Sequence, residues 1–486
     1  MKFVLRHRCR KLAFLVLLGF AAQDVRAAPS DLTGLSLEQL LAVEVSSASK
    51  YSQRTGDAPS AVQVISREDI QLQGWRTLTE ALSSLPGLYV NNNRAYDFLG
   101  ARGFQIPGDL NTRFLLLVDG QRNNDNIYQQ AMIGSEGWLD MSVVERIEYI
   151  PGPGSAIYGS NAMFGVINVI TRRAGKDAQS QVGAYVSKLG LSGVNVMTSQ
   201  TMADTGLVLQ YSTERQSGRD QTYTDTGELF RADGTPATDG IAHGLDNGNN
   251  RHLMMRIDHN EWSFKLINHE RTVTPSSALA WTVFDDPSLE VNDGGTQLNA
   301  SLQHEISATS SLYARVGYTD WHYRATYPYL GTAYYYNYDD TQGQTLDGEF
   351  RYLLESGDHH LLAGLEFSRD LMARQHNYYS ISPALLGTAD VSIDPLQQRI
   401  GLFVQDDWRF NHSWLLSLGL RQDQATAAKS STSPRLALIW QPDSGWTAKL
   451  LAGQAYRSAN AFESQYTDGF SYLNNPDLQP EIIRTT

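Results

Sequence analysis

The feature that most constrains the fold of this chain is an alternation of polar and apolar residues that begins near residue 180. In residues 400–410, one face is apolar and the other is polar. The apolar face carries Ile400, Leu402, Val404, Trp408 and Phe410, and the opposite face carries Gly401, Gln405, Asp407 and Arg409. A period of two with one apolar and one charged face predicts β-strands that lie between two different media.

The links between these segments alternate in length. Short links lie near residues 201–206, 258–261, 306–311, 355–359, 410–413 and 441–446. Long polar links lie near residues 215–250, 272–295, 323–345 and 370–397, and residues 424–432 and 457–480 also belong to the longer class. Transmembrane β-barrels have short turns at one end and long loops at the other, whereas a soluble propeller or sandwich has no reason to do so. The pattern therefore predicts a membrane β fold.

The number of strands bears on how the barrel closes. About thirteen strands are predicted between Gln181 and Tyr456 from this pattern. A bacterial single-chain barrel closes with an even number of strands and leaves no edge exposed to lipid. We therefore expect the barrel of residues 176–486 to be truncated at its C-terminus, with further strands beyond Thr486.

The N-terminus predicts export. Residues 1–27 have a basic beginning, an apolar run over 12–22 and small residues before a cut after Ala27, which is typical of a signal peptide. They hold the chain's only cysteine, Cys9, so the mature chain has no disulfide. The net charge of −13 includes +5 from these residues, which leaves −13 − 5 = −18 for the rest and argues against a nucleic-acid partner. Residues 28–50 are short and mixed, and predict a mobile N-terminal arm.

Residues 51–175 predict a small α+β domain. A strand over 61–65 is followed by a helix capped by Ser66 and Asp69, and a second helix ends at the sequence Leu85-Pro86-Gly87. Further strands are predicted at 88–90 and 113–118, with polar loops over 91–98 and 121–138 between and after them. Strands over 144–150 and 166–171 flank a segment rich in glycine and proline, which predicts turns.

The chain resembles the TonB-dependent outer-membrane receptors. The resemblance rests on several ordered segments: Ala58-Pro59-Ser60-Ala61-Val62, Leu85–Val90, Ala101-Arg102-Gly103-Phe104, 114–120, 144–171, 401–410, Ser433–Leu438, Ala455–Asn460 and Asn475–Glu481. It implies an N-terminal α+β plug domain inside an antiparallel transmembrane β-barrel in the bacterial cell outer membrane. Plugged transporters of this kind have about 22 strands, of which about 13 are predicted in this chain.

The resemblance also implies a function, namely active import of a scarce metal chelate, with an iron-siderophore as the first expectation and cobalamin or haem as alternatives. The implied partners are the C-terminal domain of TonB with its inner-membrane energising complex, the small-molecule metal chelate and outer-membrane lipid. No cofactor is implied. A passive porin or a surface adhesin is the alternative from another class. The candidate enzyme motif is incomplete. Gly154 and Gly159 have the spacing of a phosphate-binding loop, but Ser160 stands where that loop needs lysine.

Candidate functional residues follow from the resemblance. The best match to a TonB box is Glu44, Val45, Ser46, Ser47 and Ala48, with an ordinary linker as the alternative. Ligand candidates on two plug loops are Asn91, Asn92, Asn93, Arg94 and Tyr96, and Asn124, Asp125, Asn126 and Tyr128, with solvated loop residues as the alternative. Tyr334, Tyr335 and Tyr336 are placed in a long outer loop, either as ligand contacts or as part of an aromatic girdle at the membrane interface. Calcium at Asp339-Asp340 or at 246–250 is a weaker alternative.

Other plug residues are predicted to be structural. Arg102, Arg146 and Glu148 are expected to form ion pairs between plug and wall. Gly152, Gly154 and Gly159 are expected to form turns. The stretch 144–171 is therefore predicted to be structural rather than ligand-binding.

Overall fold

The computed structural model describes residues 44–105, 108–175, 178–224, 226, 228–331, 333–382, 390–426, 428–442, 446–468 and 472–486. The predicted signal peptide and residues 28–43 of the arm lie outside the described residues.

The N-terminal part of the chain forms a plug built from short strands and helices. Its strands are β1 (Glu44–Val45), β2 (Gln53–Arg54), β3 (Gln63–Ser66), β4 (Leu88–Asn92), β5 (Asp97–Ala101), β6 (Phe114–Val118), β7 (Gln121–Arg122), β8 (Val144–Pro151) and β9 (Gly165–Thr171). Its helices are Arg67–Gln73, Leu78–Leu82 and Ser155–Tyr158, with a 3-10 turn at Met141–Val143. Among the described residues, no helix has the length and apolar character needed to cross a membrane.

The first plug helix begins and ends as its sequence predicts. Ser66 Oγ accepts a hydrogen bond from the Asp69 backbone N–H at 3.1 Å, and Asp69 accepts one from the Ser66 N–H at 2.9 Å. This is a reciprocal capping box. Gly74 ends the helix with φ of +69°, a left-handed conformation that glycine adopts without strain.

The central plug sheet has the order β3-β8-β9-β6-β7. β6 pairs with β9 in parallel, Phe114 opposite Gly165, and all five residues of β6 are buried because both of its faces are covered. The predicted loop over 91–98 is shorter than expected, since β4 and β5 form a hairpin with Leu88 opposite Ala101 and only residues 93–96 connect them. The glycine-rich segment, for which the sequence predicts turns alone, also contains the helix Ser155–Tyr158.

The remainder of the chain forms an antiparallel sheet that surrounds the plug, which we call the wall. Its strands are β10 (Gln179–Val186), β11 (Leu191–Met202), β12 (Thr205–Gln216), β15 (Asn247–His259), β16 (Trp262–Thr274), β17 (Glu290–Ser307), β18 (Ser310–Leu330), β19 (Tyr334–Ser356), β20 (His359–Tyr379), β22 (Gln398–Asn411), β23 (Trp414–Ala425), β24 (Ala428–Trp440), β25 (Ala448–Arg457) and β26 (Glu481–Thr485). They pair in this order, and β21 (Val391–Ile393) joins β20. A loop hairpin, β13 (Arg219–Thr222) with β14 (Ile241–Leu245), and the helix Ala461–Gln465 lie between wall strands.

The strand pattern agrees with the sequence. Thirteen wall strands run from β10 to β25, and the short β26 begins a fourteenth. In the part of the chain that the structure describes, the pairing path is open, with β10 at one end and β26 at the other.

The wall is apolar outside and polar inside, as the alternation predicts. On β22, Leu402 is 57% exposed, whereas Gln405 and Asp407 are buried against the interior. Aromatic rings gather on the outer surface beside the short turns, in a chain of contacts from Trp408 through Phe410 and Trp414 to Trp440. We call this end the short-turn end and the opposite one the long-loop end.

Two of the predicted long links are wrong. Residues 323–330 belong to β18 and residues 334–345 to β19, and these two strands pair as an extended hairpin. Residues 424–425 likewise belong to β23 and residues 428–432 to β24. The polar residues there do not signal a loop, because a strand that extends beyond the apolar band can be polar on both faces and still complete its ladder of hydrogen bonds.

Candidate functional site

The candidate TonB box is part of the plug rather than a mobile arm. Glu44 and Val45 pair with Arg54 and Gln53 as β1 and β2. Val45 and Ala48 are buried in an apolar cluster with plug residues such as Leu115. The expectation of mobility is therefore wrong for residues 44–50, because two apolar side chains in this short segment find a core to enter.

The Glu148 carboxylate holds this segment in place. One of its oxygens accepts hydrogen bonds from the backbone N–H groups of Ser46 (3.1 Å) and Ser47 (2.9 Å) and from the Ser47 hydroxyl. Its other oxygen lies 2.7 Å from Arg146. Tyr158 adds a hydrogen bond to the Ser47 carbonyl at 2.6 Å. Several hydrogen bonds, most of them to one buried carboxylate, therefore hold the segment in place.

The predicted plug-to-wall ion pairs of Arg102, Arg146 and Glu148 are wrong. Arg146 and Glu148 are two residues apart on β8, so their side chains share a face and pair with each other inside the plug. Arg102 is exposed at φ of +51°, and in the described residues it forms no ion pair with the wall.

Lys50 connects the end of the segment to the wall. Its ammonium lies 2.6 Å from Glu349 on β19 and also contacts Glu366 on β20. It stands over the rings of Tyr158 (4.9 Å) and Phe403 (4.7 Å). Sequence reasoning missed this residue, since its two carboxylate partners lie 299 and 316 positions away.

The glycine-rich turn packs the plug against the wall. Gly152 and Gly159 have φ of +89° and +73°, and a side chain at Gly159 would come within 3.0 Å of Arg421. Arg421 reaches in from β23 and donates to the Ile157 carbonyl at 2.8 Å. Gly154 begins the helix Ser155–Tyr158, where a Cβ would lie 2.7 Å from Val166. These glycines occupy structural positions.

A polar cavity of about 1160 Å³ separates plug and wall toward the short-turn end. Charged side chains line it from both sides: Lys50, Asp119, Arg256, Lys265, Glu349 and Arg351. Asp119 lies 2.7 Å from Lys265 and 3.2 Å from Arg256. Burial alone would raise the pKa of the Asp119 carboxyl, but these two cations hold it well below its usual range.

The first group of ligand candidates lies at the long-loop end. Asn93 accepts hydrogen bonds from the N–H groups of Ala95 and Tyr96, which shapes the turn between β4 and β5. Arg94 reaches Asp246 at 3.5 Å, and Tyr96 donates to Asp293 at 2.8 Å. Asn91 and Asn92 bond to Gln105 and Asp97 within the plug. The tip of the plug therefore meets the long loops of the wall.

Asn124 and Asp125 serve the plug backbone. Asn124 accepts from the Leu116 N–H at 2.9 Å and donates to the Phe114 carbonyl at 3.0 Å. Asp125 accepts from the N–H groups of residues 127–130, and burial raises the pKa of its carboxyl to about 6 despite these bonds. The polar atoms of these two side chains are therefore engaged in holding the plug backbone. Asn126 accepts from the Trp321 indole N–H at 2.8 Å.

Glu136 is a second buried plug carboxylate near the long-loop end. It accepts hydrogen bonds from the N–H groups of Ile133 (3.2 Å) and Gly134 (3.0 Å), and Arg271 lies 3.6 Å away. Burial raises the pKa of Glu136 to about 7, although Arg271 opposes this shift.

The tyrosines above the plug tip form what we call the tyrosine vestibule, which comprises Tyr96, Tyr128, Tyr323, Tyr327, Tyr329, Tyr335 and Tyr379. Tyr128 contacts the wall through Thr341, at 3.0 Å between the hydroxyls, and through the ring of Tyr323 at 6.2 Å. Odd-numbered residues of β18 and β19 thus face the plug, and alternation places Tyr335 on the same inner face.

The predicted tyrosine cluster is accordingly divided between two faces of a strand. Tyr335 faces inward and stacks on Tyr329 at 5.7 Å between ring centroids. Tyr334 and Tyr336 lie on the opposite face, where the Tyr334 hydroxyl bonds to Asp286. The predicted placement of these residues in a loop is wrong, because all three belong to β19.

Two family models match the chain. The TonB-dependent receptor plug domain matches residues 54–166, and the TonB-dependent receptor-like β-barrel matches residues 207–486. The second match alone covers more than half of the sequence.

Curated relatives match over most of the chain. An iron-regulated outer membrane virulence protein of Vibrio cholerae is 26% identical over 464 residues, which cover 90% of this chain and 64% of the relative. A vitamin B12 transporter of the same organism is 24% identical over 448 residues, which cover 90% and 65%. The chain spans a little less than two thirds of the length of these relatives.

Solved structures share the fold. The ferric yersiniabactin uptake receptor of Yersinia pestis superposes with a TM-score of 0.64 at 15% identity, over 85% of this chain and 66% of that one. The ferric-catecholate import receptor of E. coli K12 gives 0.63 at 15% identity, over 84% and 71%. At these identities the likeness concerns the arrangement of plug and wall.

Proposed function

This chain belongs to the TonB-dependent receptor family, and from that premise we propose that it imports a metal chelate, first of all an iron-siderophore, across the bacterial outer membrane. It is an outer-membrane protein. The proposal rests on one observation: the plug meets the tyrosine vestibule at its long-loop end and carries the segment 44–50 at its short-turn end. This arrangement suits a receptor that binds its ligand at the outer end of the plug and receives a mechanical force at the inner end.

We propose that TonB binds residues 44–48. β1 is two residues long and Glu44 is exposed, so the segment is already extended at its start. An extended peptide adds to the edge of a partner's sheet, where main-chain hydrogen bonds provide the affinity. The two-residue pairing with β2 is a short ladder for such a partner to replace.

The proposed transport is tested by uptake of radiolabelled iron chelates in cells with and without the gene. We expect uptake that depends on the gene and stops when a protonophore collapses the proton gradient. Uptake that continues at the same rate after the collapse would identify a passive porin instead. Absence of any gene-dependent uptake or binding would reject the transport function.

The proposed TonB contact is tested by Val45→Pro. Proline removes the backbone N–H and restricts the chain, so we expect loss of uptake with chelate binding retained. Ala232→Pro, in an exposed turn of a long loop, serves as the control and should change neither. Normal uptake by the Val45→Pro variant would exclude this segment as the TonB contact.

A further inference from the structure

From Thr341 toward the long-loop end, the inner face of β18–β20 is rich in tyrosine and uncharged apart from one carboxylate. Register places Tyr329 opposite Tyr335, and Asn337 opposite both Tyr327 and Tyr379. Ring centroids of Tyr335 and Tyr379 lie 6.2 Å apart. The faces of such rings carry the negative part of the aromatic quadrupole, so they attract cations and repel anions.

Asp339 is the carboxylate within this face. The Thr341 hydroxyl donates to it at 2.8 Å, and the Gln375 amide donates to it at 2.9 Å. Among the described residues, no Lys, Arg or His side chain forms an ion pair with Asp339. Its neighbour Asp340 lies on the opposite face of β19 and pairs with Arg324 at 3.3 Å. The charge of Asp339 is therefore held by neutral donors only.

Four arginines of this end are already engaged in ion pairs. Arg271 lies 2.6 Å from Asp293, and Arg231 lies 2.6 Å from Asp239. Arg457 lies 2.8 Å from Glu463, and Arg94 lies 3.5 Å from Asp246. A polyanionic guest would meet aromatic faces and a carboxylate here, while these four guanidinium groups are already neutralised by acidic partners.

We propose that the chelate which this receptor carries is neutral or cationic and presents a cationic group or a set of hydrogen-bond donors to Asp339 and the tyrosine vestibule. A polyanionic ferric tris-catecholate is disfavoured by the same groups. The ring of Phe462 lies 5.7 Å from that of Tyr128 between centroids, which extends the aromatic surface around such a guest. This inference rests on the proposed transport function and specifies the charge of its substrate.

The test compares three probes on outer-membrane vesicles that contain the gene product. They are a ferric tris-hydroxamate with a free ammonium group, cyanocobalamin as a neutral chelate, and a ferric tris-catecholate as the polyanion. We expect at least one of the first two to bind at least about tenfold more tightly than the third. Asp339→Asn should remove most of that preference, whereas the control Asp340→Asn, on the opposite face, should retain it.

The outcomes separate this inference from transport itself. Tighter binding and energised uptake of the tris-catecholate would overturn the charge inference while leaving transport intact. Equal effects of Asp339→Asn and Asp340→Asn would also overturn it. If none of the probes binds and no chelate is taken up, both proposals are rejected. The wild-type order of affinities decides the matter even if Asp339→Asn fails to assemble.

Discussion

The two ends of the plug are held in different ways. Toward the short-turn end, plug charges meet charges of opposite sign, as at Lys50 with Glu349 and at Asp119 with Lys265. Toward the long-loop end, carboxylates such as Asp125 are held by backbone N–H groups, and tyrosine rings make the contact with the wall. At the short-turn end ion pairs join plug and wall, whereas at the long-loop end ion pairs such as Arg94 with Asp246 are accompanied by backbone hydrogen bonds to carboxylates and by tyrosine contacts. Charge removal and acid should therefore affect the two ends differently.

Removal of Lys50 is the largest expected effect. Lys50→Met would leave Glu349 and Glu366 close together with less compensation, and breaking a buried pair costs about 3–5 kcal/mol. We expect the short-turn end to lose protection in hydrogen exchange by a corresponding factor, with little change at the tyrosine vestibule. Lys188→Met, at an exposed turn, is the control. Equal loss at both ends would show that the plug responds as one unit.

Acidification from pH 8 to pH 5 should stabilise the long-loop end and leave the Asp119 contribution at the short-turn end unchanged. The pKa of Glu136 is raised to about 7 in the folded plug. Protonation of Glu136 therefore stabilises the folded plug as the pH falls from about 8 toward 5. The pKa of Asp119 is lowered, so its contribution persists over that range and is lost only as the pH falls below about 4. Hydrogen exchange at pH 8 and pH 5, corrected for the intrinsic rate, measures the difference. Glu136→Gln should reduce the gain at the long-loop end and leave the part that comes from Asp125, whose pKa is raised to about 6.

Glu148→Gln is expected to loosen residues 44–50 selectively. A neutral amide keeps the shape but loses the charge-assisted bonds to Ser46, Ser47 and Arg146, at a cost of about 2 kcal/mol. Proteolysis within the segment should become faster, while binding of the chelate stays the same. Glu145→Gln, exposed on the same strand, should behave as the wild type. Unchanged proteolysis in Glu148→Gln would assign the anchoring to Tyr158 and the apolar contacts.

Ser66→Ala is expected to have the smallest effect on plug stability. It removes a helix cap that belongs to neither end and should cost about 1 kcal/mol of plug stability. We expect a small increase in exchange across the whole plug, and Ser66→Thr should restore the cap. A change confined to one end would mean that the two ends unfold separately even without removal of a charge.

The wall is largely predictable, because a strand between lipid and a polar interior must alternate along its length. Phe403 is instructive, since it is apolar but faces inward and is buried under the cations of Lys50 and Arg421. The polar strands beyond the apolar band lose this signal, and their sequence predicts a loop instead. Phe350 and Tyr352 are even-numbered and face outward. Extending this alternation along β19 would have placed Tyr336 on the outer face and Tyr335 on the inner face.

The candidate site is less predictable. Motifs locate the segment 44–48 and the plug loops, and the cap at Ser66 is confirmed. The contacts that hold the segment could not be predicted, because Ser47 meets Glu148 across 101 positions and Lys50 meets the wall across 299. Pairings at such separations leave no local pattern in one sequence.

The register of β1 and β2 has a mechanical consequence. Glu44 pairs with Arg54 and Val45 with Gln53, so the outermost rung is the one nearest the N-terminus. A force applied at Glu44 therefore opens the ladder one rung at a time, as a zipper opens, instead of shearing both rungs together. The load then passes to the Glu148 carboxylate and finally to Lys50, so the tether is graded from weak to strong along the chain.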